Sequence, residues 1–259
     1  MSDYWKSREI LEREKLLNKS IKQTELDLVR EYRRLSSRLS AQLESVYNKI
    51  ITSETISINE LYKYNRYYEL LNNLNMELEK SGVRITAMYN RRFLALYKEN
   101  SLLIGKQLGL NSEINIEQAE KVINAVWVND GKNWSDRVWN NHKLLANKLE
   151  QGLIDSISAG YSPEVFKAEL MKIFNVSYNN ASTLARTELS HIYNQSALDK
   201  YREAGITHYR FLATPDEREC SACQELNNKI FTLDDIKVPQ HPRCRCVVLA
   251  VLDKESDEQ

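Results

Sequence analysis

The most regular feature of the chain is an apolar stripe near its N-terminus. Between residues 17 and 50 apolar side chains recur at helical spacing, and the positions between them are rich in Arg, Lys and Glu. The stripe consists of Leu17, Ile21, Leu28, Tyr32, Leu35, Leu39, Leu43, Val46 and Ile50. This pattern predicts one amphipathic helix over residues 3–51. Because a single narrow stripe makes a poor core by itself, we expect the helix to dock against other elements or a large assembly.

Capping residues and glycines predict two further helices after this one. The second is expected to start at Ser57 or Asn59 and to run to about Lys80, where Gly82 ends it. A third is predicted over residues 83–108, where glycines again follow the apolar pattern.

The middle of the chain carries a turn between two more predicted helices. A short helix is expected over residues 112–128, and the Asn-Asp-Gly sequence at residues 129–131 predicts a turn. Ser135 is the predicted N-cap of the next helix, which stops at Gly160.

Ser162-Pro163-Glu164 then predicts a new helix start, because it places an N-cap, a proline at the first helical position and an acid in the first turn. This helix is expected to end near Asn175. Ser177 is the predicted cap of a following helix that ends before Gly205.

After Gly205 the pattern becomes extended. Short strands are predicted over residues 209–213, 229–232 and 246–252. The predicted fold is mainly α, with long N-terminal helices followed by a smaller α+β C-terminal module that holds a short antiparallel sheet. We expect a helical docking and assembly region at 1–131, the module at 132–252 and an acidic tail at 253–259.

Composition and charge limit the classes of protein to which the chain can belong. Only 7 glycines and 4 prolines occur among 259 residues, which fits long helices. The 36 basic and 36 acidic residues balance, so net charge gives no argument for nucleic acid. Residues 1–20 are too charged for a signal peptide, and no apolar run is long enough for a membrane span. We therefore expect synthesis in a cytoplasm, with cysteines that are initially reduced.

All four cysteines lie close together, as Cys220-x-x-Cys223 and Cys244-x-Cys246, and His241 precedes the second pair. Two such pairs match the ligands of a closed tetrahedral structural zinc site, in which His241 can replace one thiolate. Disulfides formed after release into an oxidising medium, or reduced buried cysteines, are alternatives. A catalytic zinc is least expected, because four cysteines leave no open position for water.

Several motifs in this region belong together. They are Ala185-Arg186-Thr187-Glu188, Ala204-Gly205-Ile206, Asp216-x-Arg218-x-Cys220-x-x-Cys223 and His241-Pro242-Arg243-Cys244-Arg245-Cys246. With the helix start at residues 162–164, they resemble the phage head-morphogenesis (minor head protein) family typified by the F protein of phage Mu. The resemblance covers about residues 135–250. Asn228 stands where the family often has Gly, and Phe211 where many members have Trp; Asn still tolerates a left-handed turn.

The resemblance implies a low-copy capsid component without an assigned reaction, located inside the virion near the portal and present in the host cytoplasm during assembly. It implies a role in head assembly, DNA packaging or delivery. The expected partners are the portal protein and a major capsid or scaffolding protein, with no membrane. Weak contact with packaged DNA is expected through arginines of the first helix, namely Arg30, Arg33, Arg34 and Arg38.

Polar residues of the resembling region are expected to be structural. Glu188 falls on the apolar face of its helix, whereas Arg186 faces away. A buried carboxylate needs a partner, so we predict that Glu188 pairs with Arg218, Arg243 or Arg245 and locks the helix to the strands. Asp216, in the same motif as Arg218, is also assigned a structural role.

An enzyme is the main alternative. Asp234, Asp235 and His241 faintly resemble a metal-dependent nuclease of the histidine–asparagine–histidine type, but such a site needs further ligands around an open metal. An ADP-ribosyltransferase-like interpretation of residues 186–188 is weaker still. Because the chain ends soon after the last predicted strand, we expect no fused toxin domain.

Overall fold

The computed structural model describes residues 3–52, 66–111, 113–214, 220–235 and 238–252. The helices in these ranges are α1 (Asp3–Ile51), α2 (Arg66–Leu108), α3 (Ile116–Ile123), α4 (Trp134–Ser158), α5 (Pro163–Glu203) and α6 (Ser221–Leu226). The strands are β1 (His208–Leu212), β2 (Ile230–Thr232) and β3 (Val247–Val251). The predicted fold class is confirmed: long helices come first, and a small antiparallel sheet follows.

Helix α1 has the predicted bounds, but the predicted helix end at Gly82 is wrong. Helix α2 passes through Gly82 without a break. A Cβ on Gly82 would lie 2.5 Å from Cζ3 of Trp139, so this glycine makes room for the indole instead of ending a helix. A helix tolerates an interior glycine at a cost of about 1 kcal/mol, which packing of the indole can offset. The predicted start at Ser57 or Asn59 lies outside the described residues.

Helix α5 is also longer than predicted. It runs unbroken through Asn175 and Ser177, so the predicted end and restart there are wrong. No glycine or proline occurs near these positions, and neighbouring side chains satisfy Ser177 within the helix. Its carbonyl accepts hydrogen bonds from the Tyr32 hydroxyl (3.2 Å) and from Nδ2 of Asn141 (3.0 Å).

Helix α4 starts near the predicted position but uses a different cap, and α3 is shorter than the predicted helix over residues 112–128. Asn133, not Ser135, caps α4 through a reciprocal capping box with Asp136, in which both bonds measure 3.0 Å. Asn115 caps α3 by accepting from the amide of Gln118. Asparagine serves as well as serine at these positions, so residue type alone did not decide between neighbouring candidates.

The strands agree with the prediction to within about one residue. The sheet has the order β2-β1-β3, and both pairings are antiparallel. Tyr209 in β1 pairs with Phe231 on one side and Ala250 on the other. Asn228 adopts the predicted left-handed conformation, with φ 64°. Gly205, with φ 73°, ends α5 as predicted.

The chain forms two compact units, each built from separate stretches. One comprises Met1–Thr24, Tyr89–Asn129 and Thr183–Gln259. The other comprises Glu25–Met88 and Asp130–Ser182. The predicted domains, residues 1–131 and 132–252, are continuous stretches with separate roles. That division by role stays a prediction.

The core of the first unit joins α5 to the sheet and the cysteines. Its fully buried members include Leu198, Phe211 and Val248 together with Cys223 and Cys246. Arg13 is also buried there and donates to the Tyr201 hydroxyl (3.0 Å), which places α1 in this core. The unit therefore needs residues that lie far outside the cysteine segment.

The core of the second unit is aromatic and partly polar. Tyr47 stacks on Phe166 with ring centroids 4.4 Å apart, and its hydroxyl donates to the carbonyl of Ser156 (3.3 Å). Burial raises the pKa of Tyr32 to about 12, so its hydroxyl stays protonated in this core. None of the helices among the described residues is apolar enough over its length to cross a membrane.

Candidate metal centre

The first cysteine pair lies at the start of α6. Cys220 is the N-cap of this helix, and its Sγ accepts from the backbone amide of Cys223 (3.4 Å). The short helix turns Cys223 inward, where it is fully buried, while Cys220 is half-buried. A C-x-x-C pair at a helix start therefore brings both thiols to one side, as the spacing predicts.

The second pair approaches from a tight turn before β3. The amide of Cys244 donates to the carbonyl of His241 (3.1 Å), and Arg243 adopts a left-handed conformation with φ 62°. This turn directs Cys244 and His241 toward Cys223. Sγ of Cys223 lies 3.8 Å from Sγ of Cys244 and 3.4 Å from Nε2 of His241.

All five predicted ligands meet here in two overlapping groups. One group is Cys220, Cys223 and His241; the other is Cys223, Cys244 and Cys246. Within each group the donor atoms lie within 4.8 Å of one another, and Cys223 belongs to both. Sequence spacing therefore predicted the convergence of these side chains correctly.

The donor set fits a zinc ion. Tetrahedral zinc with Zn–S bonds of about 2.3 Å separates two thiolates by roughly 3.8 Å, and a thiolate from an imidazole nitrogen by roughly 3.6 Å. The distances from Cys223 to Cys244 and to His241, 3.8 and 3.4 Å, are close to these values. Four sulfurs and one imidazole also exceed the four ligands of a closed site, which leaves no need for bound water.

The environment lowers the pKa of two thiols in this cluster and raises the pKa of the other two. The hydrogen bond from Cys246, followed by backbone amides, lowers the pKa of Cys244 to about 5. The backbone amide of Cys223 lowers the pKa of the Cys220 thiol. Burial raises the pKa of Cys223, and the bond to Cys244 raises that of Cys246. A thiolate is the form that binds metal, and each pair contributes one thiol whose pKa is lowered.

His241 responds to the same charges. Burial lowers its pKa, but the Pro242 carbonyl and the nearby Cys244 outweigh this effect and raise the pKa overall. Nδ1 lies 2.9 Å from the Pro242 carbonyl, so a proton on Nδ1 leaves Nε2 free to act as a ligand facing Cys223.

Glu188 is buried as predicted, with 3% of its surface exposed, and it accepts a hydrogen bond from an indole. Nε1 of Trp127 donates to its Oε2 (3.0 Å), and the same indole stacks on His191 with centroids 4.3 Å apart. Sequence reasoning missed Trp127, which lies 61 residues away from Glu188 along the chain. The pairing of Glu188 with an arginine stays a prediction.

The predicted structural arginines occupy different environments. Arg243 contacts α5 through Nε, which donates to Oγ1 of Thr183 (2.9 Å). The carbonyl of Arg245 accepts from Oγ1 of Thr214 (3.2 Å). Arg186 is half-buried on α5. Asp216 and Arg218 lie outside the described residues.

The residues of the nuclease alternative do not assemble around an open metal position. The exposed Asp234 pairs with Arg202. Oδ2 of Asp235 accepts from the amide of Thr232 (3.0 Å) and so caps the turn after β2. His241 instead faces the cysteines. The geometry of these described residues gives the nuclease no support.

Fold and site together define a long-helix protein with a compact cysteine-rich module on its C-terminal strands. Residues 147–249 match the family model described as Phage Mu protein F like protein. This confirms the resemblance predicted from the motifs and supports a phage head morphogenesis family, a family of structural head proteins. No curated protein and no solved structure matches the chain significantly.

Proposed function

We propose that this chain is a minor capsid protein of a tailed phage or prophage, which lies near the portal inside the head and assists head assembly, DNA packaging or delivery. The observation that carries the proposal is the family match over residues 147–249, which spans all of α5, the cysteine module and the sheet up to the middle of β3. The protein acts by binding other head proteins and catalyses no reaction.

The cysteine module holds a structural zinc in this proposal. The buried thiols of Cys223, Cys244 and Cys246, the half-buried thiol of Cys220 and the imidazole of His241 supply five candidate donors, of which four make a closed site. Zinc would join α6 to the turn before β3. In so small a sheet such a link contributes directly to folding.

The long helices supply the surfaces for assembly. Their outer faces are rich in charge, and the portal protein and a major capsid or scaffolding protein are the proposed partners. DNA contact through α1 is weak in this account. Arg30 and Arg38 already pair with Asp27 and Glu77, whereas Arg33 and Arg34 beside them are both exposed.

A nonsense mutation in the gene, carried by the phage or induced prophage, tests this function. Particles made without the protein should form fewer DNA-filled heads, or heads that deliver DNA poorly, and the wild-type gene supplied in trans should restore them. Heads that form, fill and infect normally without the protein would contradict the proposal.

Metal content tests the structural zinc separately. The purified full chain should contain about one zinc per molecule, and replacing Cys223 with Ser should abolish it, since Cys223 belongs to both donor groups. A nuclease assay on the same preparation should show no cleavage. Cleavage lost on His241→Ala in a folded chain would overturn the non-enzymatic role.

A further inference from the structure

Side chains of helix α5 form hydrogen bonds with Arg243, just before the second cysteine pair. Oγ1 of Thr187 accepts from the amide of Arg243 (3.1 Å), the residue that precedes Cys244. The same hydroxyl donates to the carbonyl of Thr183 (2.8 Å), so its geometry is fixed from both sides. Thr183 adds a second contact by accepting from Nε of Arg243 (2.9 Å).

The same helix also forms hydrogen bonds with the backbone at the end of the pair and at the start of β3. Asn194 is fully buried, and its side-chain amide pairs with the start of β3 as a neighbouring strand would. Nδ2 donates to the carbonyl of Cys246 (3.1 Å), and Oδ1 accepts from the amide of Val248 (3.0 Å). Asn194 lies seven residues after Thr187, so the two residues occupy one face of α5.

The turn at Arg243 depends on contacts with other parts of the chain. Arg243 has φ 62°, a left-handed conformation that is unfavourable for a non-glycine residue and persists only where surrounding contacts fix it. That conformation directs Cys244 toward Cys223. The bonds from Thr187 and Thr183 are the contacts that fix it.

We propose that Thr187 and Asn194 are positioning residues of the metal centre, which hold the backbone on both sides of Cys244 and Cys246 so that their thiols face Cys223. The inference rests on the proposed zinc site. Neither residue touches the metal; each acts through the backbone of a ligand-bearing segment. Supporting residues of this kind typically change metal affinity about 10- to 100-fold when they are replaced.

Zinc affinity of the full chain, measured in competition with a chromophoric chelator, tests the proposal. Thr187→Val should bind zinc about 10- to 100-fold more weakly than the wild type. Thr187→Ser keeps the hydroxyl and should restore most of the affinity. Asn194→Asp keeps an acceptor for the Val248 amide but loses the donor to the Cys246 carbonyl, so it should also weaken binding.

Thr24→Val is a matched control. Thr24 is fully buried in α1 and makes the same bond to the carbonyl four residues earlier (2.8 Å to Ser20), but it lies outside the metal centre. It should lower thermal stability without changing zinc affinity. Cobalt substitution adds a readout that depends on geometry: the thiolate-to-cobalt absorption should change in Thr187→Val and stay unchanged in the control.

The outcomes separate the two proposals. A wild-type chain that binds no zinc or cobalt contradicts the metal centre and this inference with it. Wild-type binding with unchanged affinity and spectrum in both Thr187→Val and Asn194→Asp contradicts the positioning role alone. If Thr187→Val fails to fold, Asn194→Asp decides the question by the same measurements.

Discussion

Arg13 offers the sharpest test of how the first unit holds together. Arg13 has only 1% of its surface exposed. It donates to Oδ1 of Asn100 (3.4 Å), to the Tyr201 hydroxyl (3.0 Å) and to the carbonyl of Val248 in β3 (3.3 Å). It also lies 5.0 Å from the centre of the Tyr193 ring.

Replacing Arg13 with Ala removes these contacts together. Hydrogen bonds made by a charged group contribute about 1.5–3 kcal/mol each, and removal also leaves acceptors unsatisfied. The desolvation cost of the buried charge is recovered, which offsets part of this loss. We therefore expect the first unit to lose about 3 kcal/mol of unfolding free energy, below the sum of the separate bonds.

Hydrogen–deuterium exchange localises the effect to this unit. A loss of about 3 kcal/mol corresponds to amide exchange on the order of 100-fold faster in β1 and β3. The matched control is Arg91→Ala, since Arg91 is exposed on the part of α2 that belongs to the same unit. Equal exchange in β3 for Arg13→Ala and Arg91→Ala would refute the reasoning.

Three further variants and one treatment probe other parts of the account. Glu188→Gln should lower the melting temperature, because a neutral amide accepts the indole bond less strongly; an equally stable variant would sink the structural role. Gly82→Ala should destabilise the second unit by about 1–3 kcal/mol in urea unfolding, and Trp139→Ala in the same chain should remove that penalty. Arg137 holds the pKa of Asp130 at about 2, so Arg137→Ala should raise it toward 3.8 in an NMR titration. This pair stabilises the fold above about pH 4, and its contribution is lost as pH falls toward 2; an unchanged pKa would contradict the pairing. Chelation of the metal should lower the melting temperature of the wild type, and an unchanged value would argue against a structural zinc.

Sequence patterns predicted correctly those elements whose structure is determined by residues close together in the chain. The apolar stripe of α1, the helix start at Pro163 and the left-handed Asn228 follow from residue type and spacing alone. The meeting of the cysteines was also predictable, because both pairs have spacings that direct two thiols to one side.

The predictions were wrong where contacts between residues far apart in the chain determine the local structure. By residue type, Gly82 is a helix-ending signal, but in the structure Trp139 packs against it inside a continuous helix. Ser177 is by residue type a helix cap, but its carbonyl binds Tyr32 and Asn141 within α5. Asn194 carries no signal in sequence, because the backbone it binds lies 52 residues away along the chain.

The central claim is that the chain is a component of phage heads. Quantitative mass spectrometry of gradient-purified, DNA-filled heads tests it most directly, with portal and major capsid proteins as internal standards. The account predicts that the chain is present at a low and constant copy number relative to the portal, and that it co-purifies with the portal protein from lysates. Complete absence from heads and from portal preparations, at a detection limit below one copy per particle, would contradict it.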